Sequence, residues 1–341
     1  MSAGSMSMDS GVNAALSSRR RTPTGDAIRQ LLKNKMAVAG GIVVLMMILI
    51  AIFVDTTVFS WVTGNEVQPF LAPYHYATVD FANSNVPAFT RTDAGNFYLL
   101  GTDYLGRDNL SRALYGTRIS LAVALIAATV SLIVGVIYGM FSGYGNAVRD
   151  NFMMRIVDFL YGFPLIIFII LMQVYFKAQA AVGSTNPVIQ WVLDLDRSLG
   201  GIFLVFVALG LVNWLGMARI ARGQTLSYKR KEFVEAARAV GSSDGRIINR
   251  HIFPNIFGPC IVAETLAIPG YILTESFLSF IGLGVNPPTP SWGIMISETY
   301  QAIRVAPLNV FVPAIALTMT TLAFNFLGDG LRDAFDPRLR E

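Results

Sequence analysis

Long apolar stretches separated by shorter polar segments run along most of this chain. A helix that crosses the hydrocarbon layer of a bilayer needs about 20 mostly apolar residues. Six stretches satisfy this requirement, and they lie at 36–54, 119–142, 154–176, 201–221, 259–282 and 309–327. The pattern predicts an all-α polytopic membrane protein with six transmembrane helices.

The composition agrees with this pattern, since 53% of the 341 residues are hydrophobic and only 14% are charged. Soluble domains carry about 25% charged residues. The first stretch, 36–54, is long for the core of a signal peptide, and no small-residue cleavage site follows it. We therefore interpret this stretch as a retained membrane anchor.

The distribution of positive charge predicts the topology. The net charge of +4 is compatible with nucleic-acid binding, but 19 of the 26 Lys and Arg residues fall on one side of the six helices. Cytoplasmic loops carry such an excess. We predict that the N- and C-termini are both cytoplasmic, that the chain has the lipid bilayer as a partner, and that nucleic acid is not a partner.

The spans and the topology divide the chain into consecutive segments. These are a cytoplasmic N-terminal tail (1–35), the first transmembrane helix (36–54), an extracytoplasmic segment (55–118), a core transmembrane domain (119–330) with a cytoplasmic loop (222–258), and a cytoplasmic tail (331–341). Residues 1–25 are predicted to be disordered, and 55–100 have no assignable pattern.

Two local structures are predicted at the ends of these segments. Thr102 and Asp103 are placed to cap a short amphipathic helix over 104–116 at the outer surface. At the other end of the chain, a helix from Leu331 to Phe335 could extend the last span.

Catalytic and metal-binding motifs are not apparent in the sequence. The single cysteine, Cys260, excludes an intrachain disulfide, and the two histidines, His75 and His251, are far apart. The phosphate-binding loop Gly-x-x-x-x-Gly-Lys-[Ser/Thr] is absent. We predict that the chain has no catalytic residues, no metal site and no bound cofactor.

The most informative segment lies in the cytoplasmic loop. Residues 232–240 are predicted to form a helix, which Gly241 ends in a left-handed conformation. Ser243 and Asp244 can then begin a second helix over 243–250. We call residues 232–254, which contain both helices, the knob.

The knob suits a partner protein that needs a rigid and shape-defined surface. Ala236 and Ala237 would allow close approach, and Pro254 is expected to stop the chain before it re-enters the membrane. The alternative is an ordinary basic connector between two membrane helices, but a connector does not need capped helices in this order.

Acidic residues within or near the apolar stretches are functional candidates. Asp158, for which a local ion pair with Arg155 is the simpler interpretation, and Glu275 are candidates for the pathway or a subunit interface, as is Phe277. Glu264 is expected to face the polar inner end of the fifth helix.

Small residues and prolines have mainly structural interpretations. Gly135, Gly139 and Gly143 repeat every four residues, a spacing that favours close helix packing over lining of a pathway. Pro164 and Pro269 are expected to kink the third and fifth helices, as hinges or as static packing features.

The knob and several other segments resemble a known protein family. The knob is similar to the EAA loop of ABC importer permeases, and the positions that match its pattern are Glu235, Ala236, Ala237, Gly241 and Pro254. His251 and Phe253 depart from the general pattern, but residues 250–255 resemble the variant found in the peptide/nickel subfamily. Further similar segments lie at 101–108, 118–121, 277–284 and 328–333, so the resemblance covers 101–341.

The resemblance implies the fold and the partners. It implies the type I importer permease fold in a bacterial inner membrane, a homologous second permease subunit, two ATPase subunits that bind ATP and Mg, and an extracytoplasmic solute-binding protein. The chain would form half of the pathway, and oligopeptides are favoured as cargo over dipeptides, nickel or glutathione. The expected ATPase-coupling residues are Glu235, Ala236, Ala237, Gly241, Ser243, Asp244, Arg250, His251 and Pro254.

Two other classes of membrane protein remain as alternatives. An ion-coupled secondary transporter would use the acids Asp158, Glu264 and Glu275 and would leave the knob without a purpose. A membrane enzyme acting on lipid or cell-wall precursors would need a convergent nucleophile, metal or acid–base pair, and the sequence offers none.

Overall fold

The first helices pass from a short amphipathic segment directly into an apolar one. The computed structural model describes residues 23–57 and 67–335, and it begins with α1 (Pro23–Lys33) and α2 (Lys35–Phe53). Asn34 separates the two helices, since its side-chain oxygen accepts hydrogen bonds from the backbone N–H groups of Met36 and Ala37. Most of the predicted disordered tail, residues 1–22, lies outside the described residues, whereas residues 23–25 belong to α1.

Residues 67–108, which lie between the described end of α2 and the next long helix, form a segment that we call the cap. It contains a 3₁₀ turn (Phe81–Asn83) and a two-stranded antiparallel hairpin of β1 (Thr90–Arg91) and β2 (Phe97–Tyr98). Thr90 pairs with Tyr98 in this hairpin. The sequence did not reveal these elements, because strands of two residues are too short to show an alternating pattern.

The second span is much longer than predicted. Helix α3 runs without interruption from Asn109 to Tyr144, and the Asp108 carboxylate caps it by accepting a hydrogen bond of 2.7 Å from the Ser111 N–H. The predicted separate helix over 104–116 is therefore wrong. No proline lies between Asn109 and Tyr144 to break the backbone hydrogen bonds, so the polar start continues into the apolar stretch.

The third predicted span is also wrong as a single helix. Helix α4 (Ala147–Tyr161) ends before residues 162–164, and α5 (Leu165–Val182) begins after them. Pro164 disfavours helical geometry at the preceding residue, so the chain breaks here rather than kinks. Of α4 and α5, only α5 is long and apolar enough to cross a membrane.

The remaining elements complete the chain up to residue 335. They are α6 (Pro187–Ser198), α7 (Phe203–Lys229), α8 (Glu232–Ala239), α9 (Asp244–Ile247), a π-helical turn (Ile248–Ile252), α10 (Phe253–Phe280), α11 (Trp292–Thr299), a 3₁₀ turn (Tyr300–Ala302) and α12 (Leu308–Phe335). Residues 331–335 extend α12 as predicted, and the rest of the predicted tail, 336–341, lies outside the described residues.

Six helical segments of the described chain are long and apolar enough to cross a membrane. They are α2, α3, α5, α7, the run Asp244–Phe280 and α12. The prediction of six spans is therefore confirmed in number. The largest group of buried apolar residues lies between α3, α7, α10 and α12, and it contains Leu121, Leu209, Ile272 and Phe324.

Close packing of α3 on α7 explains the repeated glycines. A Cβ atom at Gly135 would lie 2.6 Å from the Met217 Cβ, and one at Gly139 would clash with the Ala218 carbonyl oxygen. At Gly143 the nearest atom would be the Arg222 carbonyl oxygen at 2.9 Å. The predicted packing role of these glycines is confirmed.

Candidate docking site on the knob

Helix α8 has one buried face and one open face. Val234 is fully buried, whereas Glu235, Ala236 and Arg238 are exposed and Ala237 is half-buried. This difference follows from the helical period, because residues two positions from Val234 point away from the core. The small residue that a partner protein could approach most closely is therefore Ala236.

The turn after α8 has the predicted left-handed conformation. Gly241 has φ +83°, and its N–H donates to the Arg238 carbonyl at 3.0 Å while the Ser242 N–H donates to the Ala237 carbonyl at 3.0 Å. These two bonds form a Schellman motif. A Cβ at Gly241 would meet nothing within 4 Å, so glycine is needed here for its backbone conformation and not for space.

The second helix of the knob continues into the membrane-spanning helix. Ser243 occupies the N-cap position of α9, although its side chain makes no capping hydrogen bond, and Asp244 is the first helical residue. The helical run then extends to Phe280. The prediction that Pro254 stops the chain is therefore wrong.

A π-helical turn makes this continuity possible. Pro254 has no N–H to donate, and its ring would crowd the carbonyl of Arg250 in a regular α-helix. The preceding turn, Ile248–Ile252, has the wider π geometry, in which the Phe253 N–H donates to the Ile248 carbonyl. Turns of this type are often found at functional sites.

The base of the knob is fixed by an apolar cluster. Val234, Ile247, Ile252 and Ile256 are all fully buried. They pack with residues of α3, α7 and α10, namely Val136, Met140, Tyr144, Met217, Ala221 and Cys260. Burial of one such aliphatic side chain contributes roughly 1.5–3 kcal/mol, so the knob is part of the core and not a loose loop.

Tyr144, the last residue of α3, connects the knob to the rest of the chain. Its hydroxyl donates to Asp244 Oδ1 at 2.6 Å and accepts from Arg238 Nη2 at 3.4 Å. The hydrogen bond to Tyr144 raises the pKa of Arg238. Lys229 Nζ donates to the carbonyl oxygens of Tyr144 and Gly145 at 2.8 Å each. The sequence did not single out Tyr144, because its partners lie about 100 residues away.

An ion pair fixes α4 beside the knob. Arg222 Nε and Nη2 donate to the two carboxylate oxygens of Asp150 at 2.6 Å each, and the Ser142 hydroxyl adds a third hydrogen bond. The Arg222 guanidinium holds the pKa of the Asp150 carboxyl below its usual range. This two-point geometry fixes direction as well as distance.

The structure brings the nine predicted coupling residues together on the knob. Those exposed are Glu235, Ala236, Gly241, Ser243, Asp244, Arg250 and Pro254, and those half-buried are Ala237 and His251. The His251 ring lies 6.3 Å from that of Phe233. The sequence did not single out Val240, which is 87% exposed at the turn and forms an apolar tip.

The three pathway candidates lie on two helices outside the knob, Asp158 on α4 and both Glu275 and Phe277 on α10. Asp158 Oδ1 accepts a hydrogen bond of 2.8 Å from Arg219 Nη2 on α7, so the predicted local pair with Arg155 is wrong. The Asp158 side chain points to the neighbouring helix α7, where Arg219 provides the positive charge. Phe277 is exposed on α10.

Glu275 is buried in a cradle of serines. Its Oε1 accepts from Ser279 at 2.7 Å, and its Oε2 accepts from Ser120 at 2.9 Å and Ser276 at 3.4 Å. Because Ser120 belongs to α3, this carboxyl group connects α10 to α3 inside the chain. It is 1% exposed in this conformation.

Glu264 is buried too, which differs from its expected place at a polar end. Its carboxyl oxygens accept hydrogen bonds from the Ser131 hydroxyl at 3.1 Å and the Tyr271 hydroxyl at 2.8 Å. The Tyr271 bond joins two turns of α10 on either side of Pro269. Hydrogen bonds of this kind satisfy a polar group that the apolar surroundings would otherwise destabilise.

A second charged cluster lies at the opposite end of α3. Asp103 Oδ2 contacts Arg107 Nε and Arg112 Nη1 at 2.6 Å each, and the same two arginines contact Glu298 Oε2 at 2.8 Å each. We call these four residues the outer ion cluster. It joins the cap, α3 and α11, and it could not be predicted from the sequence because Glu298 is 186 residues from Arg112.

Comparison with known proteins identifies the family. Residues 135–341 match the family described as binding-protein-dependent transport system inner membrane component. The chain belongs to this permease family. Residues 22–88 also match the N-terminal TM domain of oligopeptide transport permease C, a region that includes α1, α2 and part of the cap.

Similar proteins cover nearly the whole permease. The oligopeptide transport system permease protein OppC of Escherichia coli (strain K12) is 42% identical over 92% of this chain and 91% of its own length. OppC of Haemophilus influenzae is 40% identical over 92% of this chain and 88% of its own. The glutathione transport system permease protein GsiD of Pectobacterium atrosepticum is 35% identical over 94% and 93%.

A solved structure supports the same fold. A chain of the MetNI methionine ABC transporter, in inward-facing conformations, aligns with a TM-score of 0.50 and 17% identity over 65% of this chain and 96% of its own. The permease is therefore a multi-pass helical protein of the bacterial inner membrane with the fold of an ABC importer permease. The family match includes the knob and all the buried residues of its apolar base, which begin at Val136.

Proposed function

We propose that this permease is a transmembrane subunit of an ATP-driven importer of oligopeptides. It forms half of the translocation pathway with a homologous second permease. Two ATPase subunits, which bind ATP and Mg, dock on the knobs, and an extracytoplasmic binding protein delivers the solute. The names of the similar OppC proteins support the cargo, and the dipeptide permease DppC of Bacillus subtilis, 38% identical, keeps dipeptides as the alternative.

The observation that carries the proposal is a preformed knob that is rooted in the core but exposes its upper surface. A docking surface that is already folded loses little conformational entropy when a partner binds. Its polar face and exposed alanine would fit a groove in a soluble protein. The excess of Lys and Arg on this side of the spans supports a cytoplasmic position for the knob and for both termini.

The connection from the knob to the spans supports a coupling role. Because α9, the π-helical turn and α10 form one helical run, displacement of the knob moves a transmembrane helix directly. An ordinary connector would need neither the buried base nor this continuity. The proposal assigns ATP hydrolysis to the ATPase subunits, because the phosphate-binding loop Gly-x-x-x-x-Gly-Lys-[Ser/Thr] is absent from this sequence.

The ion-coupled alternative is less well supported. Glu264 and Glu275 are buried and hydrogen-bonded within this chain, and Asp158 is paired with Arg219. A proton relay through these acids would have to break each of these contacts, and it would assign no role to the knob.

The test uses two substitutions on the exposed surface of the knob. Ala236→Trp adds a large ring where a partner must approach closely, and Val240→Glu places a charge on the apolar tip. Both residues are exposed, so we expect the permease to fold and to reach the membrane. Peptide uptake and co-purification of the ATPase subunits should both fall at least about tenfold, because loss of roughly 1.4 kcal/mol of docking energy has this effect.

The structure offers a matched control for the second variant. Val182 is also 87% exposed but lies at the far end of α5 from the knob. Val182→Glu should therefore retain ATPase binding. Normal uptake and ATPase association in both knob variants would contradict the docking assignment. Uptake of labelled dipeptides in preference to longer peptides by the wild-type complex would replace the cargo but keep the docking.

A further inference from the structure

An ion pair on α4 and α7 is open to its surroundings although it lies beside membrane-spanning helices. The side chains of Asp158 and Arg219 are 60% and 44% exposed, and their closest atoms are 2.8 Å apart. The Arg219 guanidinium also lies 4.1 Å from the centre of the Tyr161 ring. Arg219 belongs to the spanning helix α7, ten residues before its end.

Lipid does not suit the surface around this pair. An exposed charge in hydrocarbon is costly, and such residues normally face a water-filled cavity or a protein partner. Gly216, Gly223 and Ser227 share a face of α7 with Arg219, because they follow its helical spacing. A Cβ at Gly223 would meet nothing within 4 Å, so this part of α7 borders open space.

Another spanning helix shows what a surface suited to lipid looks like in the same chain. Ile133, Ile137 and Phe141 recur every four residues on α3, and each is about half exposed. This stripe is wholly apolar up to the last turn of α3. The face of α7 that carries Arg219, Gly223 and Ser227 has no large apolar side chain, although Ile220 is exposed beside it, and this marks it as a surface of a different kind.

We propose that Tyr161, Asp158, Arg219 and Gly223 line the water-filled pathway near its inner mouth, where the ion pair contacts the charged groups of the passing solute. This inference rests on the proposed function. The pair uses only Nη2 of the guanidinium and Oδ1 of the carboxylate. The remaining guanidinium donors and carboxylate oxygen suit a carboxylate and an ammonium group, which a free peptide carries at its two ends.

The structure also explains how this section of the pathway is held in place. Arg222, one turn after Arg219 on α7, holds Asp150 at the start of α4. The interrupted segment 162–164 follows Tyr161 directly, and a Cβ at Gly216 would lie 3.3 Å from the Tyr161 hydroxyl. The aromatic ring and the ion pair therefore lie where α4 crosses α7.

Cysteine accessibility tests the inference in the complete importer. Cys260, which is fully buried, is first replaced by alanine, and Tyr161→Cys and Gly223→Cys are then made singly. Neither substitution replaces Asp158 or Arg219. The reagent is a permanently charged methanethiosulfonate, applied to the ATPase side of proteoliposomes without nucleotide and with ATP plus vanadate. Phe141→Cys serves as the control on the apolar stripe.

We expect both test cysteines to react at least about tenfold faster than the control, because a charged reagent is excluded from hydrocarbon. Their rate should change between the two nucleotide conditions, and modification of Tyr161→Cys should block uptake. Absence of reaction would show a surface buried by lipid or by the second permease. Equal rates in both conditions would show a static membrane surface. Either result overturns the inference.

Two further measurements separate this inference from the proposed function. Co-purification of the ATPase subunits with each unmodified cysteine variant shows that the complex is assembled, so absence of reaction cannot come from misfolding. Uptake is also measured for Arg219→Gln, for which we expect a several-fold loss with normal ATPase co-purification. If this variant transports normally, the ion pair does not contact the solute. If ATPase subunits never accompany the wild-type chain, the proposed function fails instead.

Discussion

The two ends of α3 are stabilised in different ways. At the outer end, the outer ion cluster joins Asp103, Arg107, Arg112 and Glu298 in a site where the two arginines and Asp103 are almost completely buried. At the inner end, the knob rests on an apolar cluster, and its charged residues remain exposed around Tyr144. The charges at the outer end stabilise the fold, whereas those at the inner end are exposed and can contact a partner.

This difference has a functional meaning. A buried charge that loses its partner is strongly destabilising, so the outer ion cluster resists rearrangement. Exposed charges around a rigid apolar base can change partners at little cost, which suits a surface that another protein contacts. The comparison predicts that substitutions at the outer end act mainly on stability, and that those at the inner end act mainly on coupling.

The largest effect is expected from Asp103→Ala in the outer ion cluster. This change leaves Arg107 and Arg112 with Glu298 alone, and loss of one partner of a buried ion pair costs about 3–5 kcal/mol. We expect a large drop in the midpoint of thermal aggregation of the purified permease. Stability equal to the wild type would show that the outer end is not held by its charges.

A smaller loss is expected from Asp150→Asn beside the knob. The amide cannot keep both charged hydrogen bonds to Arg222, each of which contributes roughly 1.5–3 kcal/mol at most. The depressed pKa of Asp150 also predicts a pH dependence. Its contribution is complete above the ordinary pKa of about 3.9 and disappears as the pH falls through the lower folded-state value.

The pH dependence provides the measurement for this variant. The difference in thermal stability between the wild type and Asp150→Asn should be constant near neutral pH and should shrink under acid conditions below pH ~4. A difference that grows on acidification would contradict the assigned sign.

Gly241→Ala tests the backbone of the knob without changing its contacts. Since space is open at this position, the only cost is the left-handed conformation, about 1–2 kcal/mol. Gly241→Asn should cost less, because asparagine adopts this conformation more readily. ATPase association should follow the same order, and equal loss in the two variants would point to a direct contact of this residue instead.

The smallest effect on stability is expected from Tyr144→Phe. The variant loses hydrogen bonds to Asp244 and Arg238, which are both exposed, so water replaces much of the loss and the cost is about 0.5–1 kcal/mol. We expect ATP hydrolysis to become less dependent on solute, because α9 is held less firmly. Unchanged coupling with unchanged stability would show that the Tyr144 hydroxyl does not hold α9 in place.

Patterns that repeat along the chain could be predicted from the sequence. The apolar stretches predict six spans, the four-residue glycine repeat predicts close packing of α3, and Gly241 predicts the left-handed turn. Each of these depends on local chemistry and spacing. The nine coupling residues were identified by resemblance, and the structure assembles them on one knob while their docking stays a prediction.

Features that depend on the tertiary structure could not be predicted from the sequence. A proline normally breaks a helix, so the sequence predicts a stop at Pro254, but the π-helical turn before it removes the conflict. The sequence pairs Asp158 with its neighbour Arg155, yet the ion pair forms with Arg219 on another helix. The outer ion cluster joins residues that no periodic pattern connects, so only the folded chain reveals it.

The continuous helix from Asp244 to Phe280 spans 37 residues, or roughly 55 Å. This continuous helix is held by contacts at two places, the apolar base near Ile252 and the serines around Glu275. Pro259 and Pro269 interrupt its backbone hydrogen bonds between these two places. A force applied to the knob is therefore expected to bend the helix at its two prolines, where it is least stiff.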